Sequence, residues 1–298
     1  MVKVDPLCAI CLSSSVVKLV SVTKLSRSES FALIERVLRE FRAKWSNEAV
    51  PADLGSWLAR RVAELSGVED PYGSLKRRAM ESVRSGLTLL LRERLERAEE
   101  GYPRFREAAL LSAAANASEV GVQDHPVEPG EAYRAIVSAA AKGFAVDHTK
   151  EAYEILERAE KVTLMADNLG EFLVDAMMVS LLRDMGKEVT VLAKPGPALD
   201  DVTVQEAKEI LPSDVIVVPS STVPRLGFRR ADATEEALEV LGESDLVIAK
   251  GMGHYETLTE PEEKLSVPTL LLLTAKCRPV AKSVGVPLGS PVALMLES

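Results

Sequence analysis

The residues best suited to chemistry stand just after short apolar runs in the second half of the chain. Asp167 and Asn168 follow Val162–Ala166, and Asp200 and Asp201 come after Val189–Ala193. Lys250 follows Leu246–Ala249, and Lys276 follows Leu270–Leu273. The acidic and amide groups offer only oxygen donors, the ligand type of Mg²⁺ or Mn²⁺ rather than of a structural zinc. Ammonium groups beside cation-gripping carboxylates are the parts needed to bind and polarise a phosphoryl group. Gly251 and Gly253 would let backbone approach an anion closely. His254 reads either as a phosphate contact or leaving-group acid, or as a hydrogen-bonded loop histidine. Asp167-Asn168 likewise has a second reading, as the cap of the helix that follows.

Something must bring these positions together, and the texture of the sequence says what. From Lys161 onward, apolar runs alternate with helical segments. The runs are 162–166, 189–193, 215–218, 246–249 and 270–273, with a weaker one at 292–296. They are continuous rather than alternating, as in parallel strands covered on both faces. Helices fit between them at 171–185, 202–211, 234–241 and 255–264. The pattern predicts a Rossmann-like, doubly wound, mainly parallel sheet over 161–298, with its ligand site past the carboxyl ends of the strands.

Residues 1–160 read as an all-α domain ahead of it. Phe31, Ile34, Leu38 and Phe41 predict one helical face after a cap at Ser28 or Ser30. Trp57, Leu58, Val62 and Leu65 predict another, ended by Gly67. Further helices are expected over 75–99, 105–116, 131–143 and 147–160, and Val16–Val22 reads equally as strand or helix.

Composition narrows the function. Net charge is −9, with 36 Lys and Arg against 45 Asp and Glu, so nucleic acid and anionic membrane are poor partners. No apolar run approaches the roughly 20 residues of a membrane span, and the first 12 residues, broken by Lys3, Asp5 and Pro6, do not read as a secretory signal. A cytoplasmic protein is expected. Three cysteines do not make a disulfide framework; Cys8, Cys11 and Cys277 read as buried thiols. His125 and His148 read as structural. The chain has three Asn and two Gln, an avoidance that fits a thermophile and suggests that each retained Asn does something an Asp cannot. There is no Gly-x-x-x-x-Gly-Lys-Ser/Thr loop and no Gly-x-Gly-x-x-Gly after the first strand, which argues against P-loop and dinucleotide-dependent enzymes.

Four segments in order resemble one family. Asp167-Asn-Leu-Gly-Glu171 resembles its Asp-Asn-x-Gly-Glu signature, and Pro197-Ala-Leu-Asp-Asp201-Val-Thr203 its Asn-Asp-Val-Thr segment. Asp245 to Glu256, with Lys250-Gly-Met-Gly-His254, and Leu271 to Cys277, with Lys276, resemble its two later motifs. The family is the metal-dependent damage-control phosphatases, formerly domain of unknown function 89. Cys8-Ala-Ile-Cys11, Asp70-Pro-Tyr72 with Lys76, and Asn116 resemble the start of its prokaryotic branch. The resemblance implies a divalent metal (Mg, Mn, Co or Ni) held by Asp167, Asn168 and Asp201. It implies that Lys276 meets the substrate phosphate and that Glu171 and Asn116 line the site. It also implies a small phosphorylated metabolite as substrate, such as a sugar phosphate or a phosphopantetheine-like compound. The chain departs from the pattern at Asp200 and His254, each in place of Asn, at Met80, and at Pro224-Arg225.

The expectation is therefore a metal-dependent phosphatase, with Asp167, Asp201 and Lys276 catalytic. Asn116, Glu171, Lys250 and His254 would contact substrate, and the nucleophile is either water or an Asp carboxylate. Two other readings stand beside it: an S-adenosylmethionine-dependent methyltransferase, and a non-catalytic binder of metal and phosphometabolite. A homo-oligomer is left open.

Overall fold

A computed structural model describes residues 2–86, 88–119 and 127–296. His125 and Gln123 lie outside the described residues.

The sheet has seven strands in the order β1-β7-β6-β5-β2-β3-β4. They are β1 (Val146–Asp147), β2 (Lys161–Met165), β3 (Glu188–Ala193), β4 (Ile216–Pro219), β5 (Leu246–Lys250), β6 (Thr269–Thr274) and β7 (Pro291–Leu296). All neighbours run parallel except β6 and β7, which are antiparallel. The order reverses at β2: β3 and β4 lie to one side of it, and β5 and β6 to the other. The crevice of such a sheet lies at that reversal.

Both faces of the sheet are covered, which is why its strands are apolar without a break. Leu270 and Leu272 of β6 join Phe105, Leu156 and Phe172 in one core. Leu271 and Leu273 point the opposite way and join Tyr255, Leu258 and Val280 in another. The helices that supply these partners are α6 (Tyr102–Ala115), α8 (Thr149–Leu156) and α9 (Leu169–Asp184) on the first face. On the second they are α11 (Glu235–Glu243), α12 (Gly251–Leu258) and α13 (Arg278–Val284). α10 (Val204–Ile210) links β3 to β4 and is started by a capping box between Thr203 and Glu206.

The first three helices, α1 (Pro6–Ser21), α2 (Arg27–Arg42) and α3 (Pro51–Ser66), have a core of their own built from Leu12, Val16, Leu19, Val37, Phe41, Leu58 and Val62. Capping boxes at Asp5 and Ser26 start α1 and α2, and Gly67, at φ 69°, ends α3. α4 (Gly73–Gly86), α5 (Thr88–Arg97), α6 and α7 (Ala132–Lys142) follow.

Four expectations change. Val16–Val22 is not a strand: its residues fall within α1 and at its C-cap, where Val16, Leu19 and Val20 are buried at helical spacing. The buried face of α2 is Leu33, Val37 and Phe41, one step round from the predicted stripe, and Phe31 is exposed. The cap of α2 is Ser26, two residues before Ser28. Asp147, expected to open a helix, forms a two-residue strand with Val146 instead, paired with Val292 and Ala293 at the sheet edge.

Candidate active site

Asn116 ends α6 at the bottom of a crevice and is fully buried. Its side-chain amide donates to Asp167 Oδ2 at 2.9 Å, Glu171 Oε2 at 3.0 Å and Asn168 Oδ1 at 3.3 Å. Its amide oxygen accepts from the backbone N–H of Thr274 at 3.2 Å. Acceptors on one side and a donor on the other fix which way the amide points. An Asp here would turn an acceptor toward three acceptors, which accounts for an Asn in a chain that avoids it.

Asp167 and Asn168 follow β2, and Leu169 opens α9. Asn168 occupies the cap position of α9, yet its side chain makes no capping hydrogen bond. The capping explanation of Asp167-Asn168 therefore leaves the Asn168 side chain unaccounted for. That side chain instead faces Asp201, whose Oδ1 lies 3.5 Å from Asn168 Nδ2. The two backbones are pinned side by side: Val202 N–H donates to Asp167 O, and Leu169 N–H to Asp200 O, both at 2.8 Å. The loop reaches this position through Leu199, whose φ of 52° is left-handed. A branched side chain there costs about 1–2 kcal/mol, strain of the kind that collects at functional loops.

Gly251 supplies the opposite wall. It follows β5, has φ 81°, and a Cβ built on it would lie 1.8 Å from Asp167 Oδ2. The anion that its bare backbone admits is thus the protein's own carboxylate. Gly253 meets Gly227 in a second close backbone crossing.

Lysines sit behind the carboxylates. Lys250 donates to Ser112 O at 2.6 Å and lies 3.3 Å from both Glu171 Oε1 and Asp175 Oδ1. Lys276 donates to Asn116 O at 2.7 Å and pairs with Glu119. Lys194 donates to Gly227 O at 3.0 Å and lies 3.4 Å from Asp201 Oδ2. Lys76, likewise buried, pairs with Glu206 and reaches the backbone oxygen of Asp201 at 3.4 Å. Among the groups just named, Asp167, Glu171, Asp175, Asp201, Glu119 and Glu206 outnumber Lys76, Lys194, Lys250 and Lys276, six acids to four lysines. Asp201 Oδ2 and Glu171 Oε1 are buried without a hydrogen bond.

Burial, with that imbalance added, sets the electrostatics. Burial, reinforced by Glu171, raises Asp167 to about 7. Burial also raises Glu171 to about 7, although Lys250 opposes it. Asp201 is pushed well up by burial against the pull of Lys194. Desolvation is the main cause at all three, neighbouring acids add to it, and the lysines offset it only in part. Three oxygen-bearing side chains, Asp167, Asn168 and Asp201, converge here. Among the described residues no three His, Cys, Asp or Glu side chains converge on one point, so an amide oxygen would have to complete the donor set.

A cavity of about 310 Å³ opens onto Asp167, Asn168 and Asp201. Glu119 and Glu256 also line it, as do Cys8, Cys11 and Cys277. Cys277 thus shares a wall with the first two cysteines. Burial raises the Cys8 thiol to about 11, raises Cys277 too, and holds Glu256 up at about 8.

Asp167, Asn168, Asp201, Asn116 and Glu171 are brought together as the sequence suggested. Lys276 and Lys250 lie one layer below the cavity, against Glu119 and against Glu171 with Asp175. His254 does not line the cavity: its Nδ1 lies 2.6 Å from Lys250 O, so Nδ1 carries the proton, and burial pushes its pKa down to about 3. Arg225 and Arg229 pair with Asp53 of α3, and Arg225 also with Asp232, fastening the 224–232 segment rather than facing the site. Sequence reasoning missed Glu119, Asp175 and the role of Lys194. Lys194 was already visible after the second strand, and Asp175 sits one helical turn beyond Glu171.

Residues 4–292 match the model of the damage-control phosphatase ARMT1-like domain. The chain belongs to that family. It is 29% identical to a damage-control phosphatase of Archaeoglobus fulgidus, over 99% of this chain and 100% of the relative. It is 26% identical to damage-control phosphatase PH1575 of Pyrococcus horikoshii, over 98% of each. An uncharacterized protein of Methanocaldococcus jannaschii is 28% identical over 98% of this chain and 95% of its own length. A DUF89 family crystal structure from Pyrococcus horikoshii superimposes with a TM-score of 0.83 over the whole of both chains at 24% identity, which shows the shared fold. Among the described residues no helix is long and apolar enough to cross a membrane.

Proposed function

We propose that the protein is a metal-dependent phosphatase that hydrolyses phosphomonoesters of a small metabolite. The observation that carries this reading is the arrangement around Asn116. One amide gathers Asp167, Asn168 and Glu171 at the strand reversal, while Asp201 turns Oδ1 toward Asn168 and keeps Oδ2, 3.4 Å from Lys194 Nζ, buried without a hydrogen bond. Buried acids in excess of the lysines beside them, with an Asp201 oxygen that only Lys194 approaches, fit a divalent cation, and all-oxygen donors suit Mg²⁺, Mn²⁺ or a similar ion. Asp167, Asn168 and Asp201 would hold it. When bound, such an ion neutralises phosphoryl oxygens and lowers the pKa of a water.

The chain's own groups do the rest. Asn116 fixes the rotamers of Asp167 and Glu171. Lys276 and Lys194 keep positive charge within one layer of the phosphoryl position, where it offsets charge developing on the equatorial oxygens. Lys250 balances Glu171 and Asp175 and is a positioning residue. The family and the names of the relatives support phosphatase chemistry; the metal and the site residues rest on geometry.

The test is hydrolysis of p-nitrophenyl phosphate by the chelated protein with Mg²⁺, Mn²⁺, Co²⁺ or Ni²⁺ added back. Metal-restored turnover that is lost in Asp167→Ala and Asp201→Ala is expected. Inactivity with every ion, or full activity in both variants, would refute the reading.

A further inference from the structure

The cavity over the carboxylates is lined very unevenly. One end carries Glu119, Asp167, Asn168, Asp200 and Asp201, while α1 and α3 contribute Leu7, Leu12, Leu19 and Leu58 along the wall. Leu199, Leu226, Met252 and Pro279 continue that apolar surface. No Lys, Arg, His or Gln is among the lining residues. Away from that end the polar side chains on the wall are few: Ser15, Tyr72 and Glu256. Ser15 Oγ donates to its own helix at Cys11 O, 3.0 Å away. Tyr72 is buried, and that burial raises the pKa of its hydroxyl. Glu256 is buried and pushed toward its neutral form by desolvation.

Beyond the acidic end, the several hydroxyls or ring nitrogens of a sugar or nucleoside would outnumber Ser15, Tyr72 and Glu256, and each group left unpaired would cost about 1–3 kcal/mol. An alkyl or aryl body would lose nothing and would release water from leucine surface. At about 30 Å³ for each water-sized group, the cavity of 310 Å³ holds roughly ten such groups. That is room for a medium-length chain.

We infer that the preferred substrate class is the phosphate monoester of an apolar alcohol, with the phosphoryl group at Asp167, Asn168 and Asp201 and a hydrocarbon body against the α1–α3 wall. This rests on the phosphatase reading for the position of the phosphoryl group. It goes further in excluding polyhydroxylated esters as preferred substrates. Gly55 of α3 marks where the hydrocarbon would lie. A Cβ built on Gly55 comes 3.0 Å from Leu226 Cδ1 and 3.9 Å from Leu12 Cδ2, both ends of flexible side chains.

The experiment uses n-alkylphosphonates from ethyl to octyl, which cannot be hydrolysed, with the Mn²⁺-loaded full-length protein in a calorimeter. Burial of each methylene is expected to tighten binding by up to about fourfold, the equivalent of about 0.8 kcal/mol, until the cavity is full. Gly55→Leu replaces a glycine inside a helix with a good helix former, so the fold should survive while the wall is filled. In that variant the gain is expected to stop at a shorter chain. Dissociation constants that stay flat from ethyl to octyl would overturn the inference, as would glucose 6-phosphate binding more tightly than octylphosphonate. A Gly55→Leu variant with the wild-type chain-length profile would overturn it too. Hydrolysis of the matching alkyl phosphates is scored separately. Chain-length-dependent binding without any turnover would sink the phosphatase reading and leave the apolar site standing. Turnover of phosphoesters with flat chain-length dependence would do the reverse.

Discussion

Substituting Gly251 by Ala tests whether the Asp167 carboxylate is where the chemistry happens. Two costs follow from the geometry. The first is conformational: φ at Gly251 is 81°, and an L side chain in that region costs about 1–2 kcal/mol. The second is steric and larger. The new methyl would stand 1.8 Å from Asp167 Oδ2 and 2.3 Å from its Cγ, so reaching the 3.4 Å of ordinary contact needs a retreat of about 1.6 Å. The carboxylate is held at 2.9 Å by Asn116, and a hydrogen bond to a charged group is worth about 1.5–3 kcal/mol. A misplacement of about 1 Å at a reacting centre can lower a rate by a factor of about 100. We expect Gly251→Ala to lower Mn²⁺-dependent kcat/KM on p-nitrophenyl phosphate at least a hundredfold and to weaken Mn²⁺ binding in titration calorimetry. Gly242→Ala is the control: it lies in α11 with nothing within 4 Å of its built Cβ. Activity there should be unchanged and stability level or slightly higher. If Gly251→Ala keeps kcat/KM and Mn²⁺ affinity within twofold of wild type, the carboxylate does not need its observed position and the reasoning fails.

The other predictions turn on single partners. Asn116→Ala should cut kcat/KM by about tenfold or more through loss of ligand positioning, with KM changing less than kcat; an unchanged kcat would refute it. Lys250→Met leaves Glu171 and Asp175 buried without their cation and should destabilise the fold by about 3–5 kcal/mol in urea titrations. Glu256 is raised from its ordinary 4.5 to about 8, so its proton is bound more tightly in the folded state. Its contribution is present below pH 4.5 and is lost as pH climbs to about 8, on the order of 3–5 kcal/mol across that window. Chelated Glu256→Gln should therefore lose less stability between pH 5 and pH 9 than wild type does, and equal losses would contradict the burial argument. Excess Mn²⁺ at about 100 times its dissociation constant should add about 2.7 kcal/mol to wild-type stability, and nothing to the double variant Asp167→Ala with Asp201→Ala.

The sheet was readable because both of its faces are covered, and continuous apolar runs such as Leu270–Leu273 have no other comfortable home. β1 was unreadable for the opposite reason. Two residues carry no period, and Val146–Asp147 becomes a strand only because Val292 and Ala293 lie alongside. The α2 face was misplaced because Phe31, Ile34, Leu38 and Phe41 make as good a stripe as Leu33, Val37 and Phe41. Only packing against α1 and α3 chooses between them. At the site, oxygen donors at the carboxyl ends of strands were legible from residue type and position. What the lysines do was not. The sequence put Lys250 and Lys276 at the right edge, but whether an ammonium faces a ligand or braces a carboxylate depends on which acid lies within 3–4 Å, and Glu119 and Asp175 come from other elements. His254 shows the same limit: a buried ring bonded to Lys250 O looks, as one letter in a chain, like any loop histidine.

Asn116 has a consequence beyond chemistry. It comes from the helical half of the chain, yet its amide oxygen accepts from the N–H of Thr274, the last residue of β6, and its nitrogen reaches Asp167 just past β2. Lys76 and Glu119, from the same half, clasp the loops on either side. A piece comprising only 161–298 would carry both aspartates and still lack the clamp that sets their angle. The geometry divides the site between the two halves like a key split between two holders. Co-expressed fragments divided near residue 160 should regain activity together and show none apart.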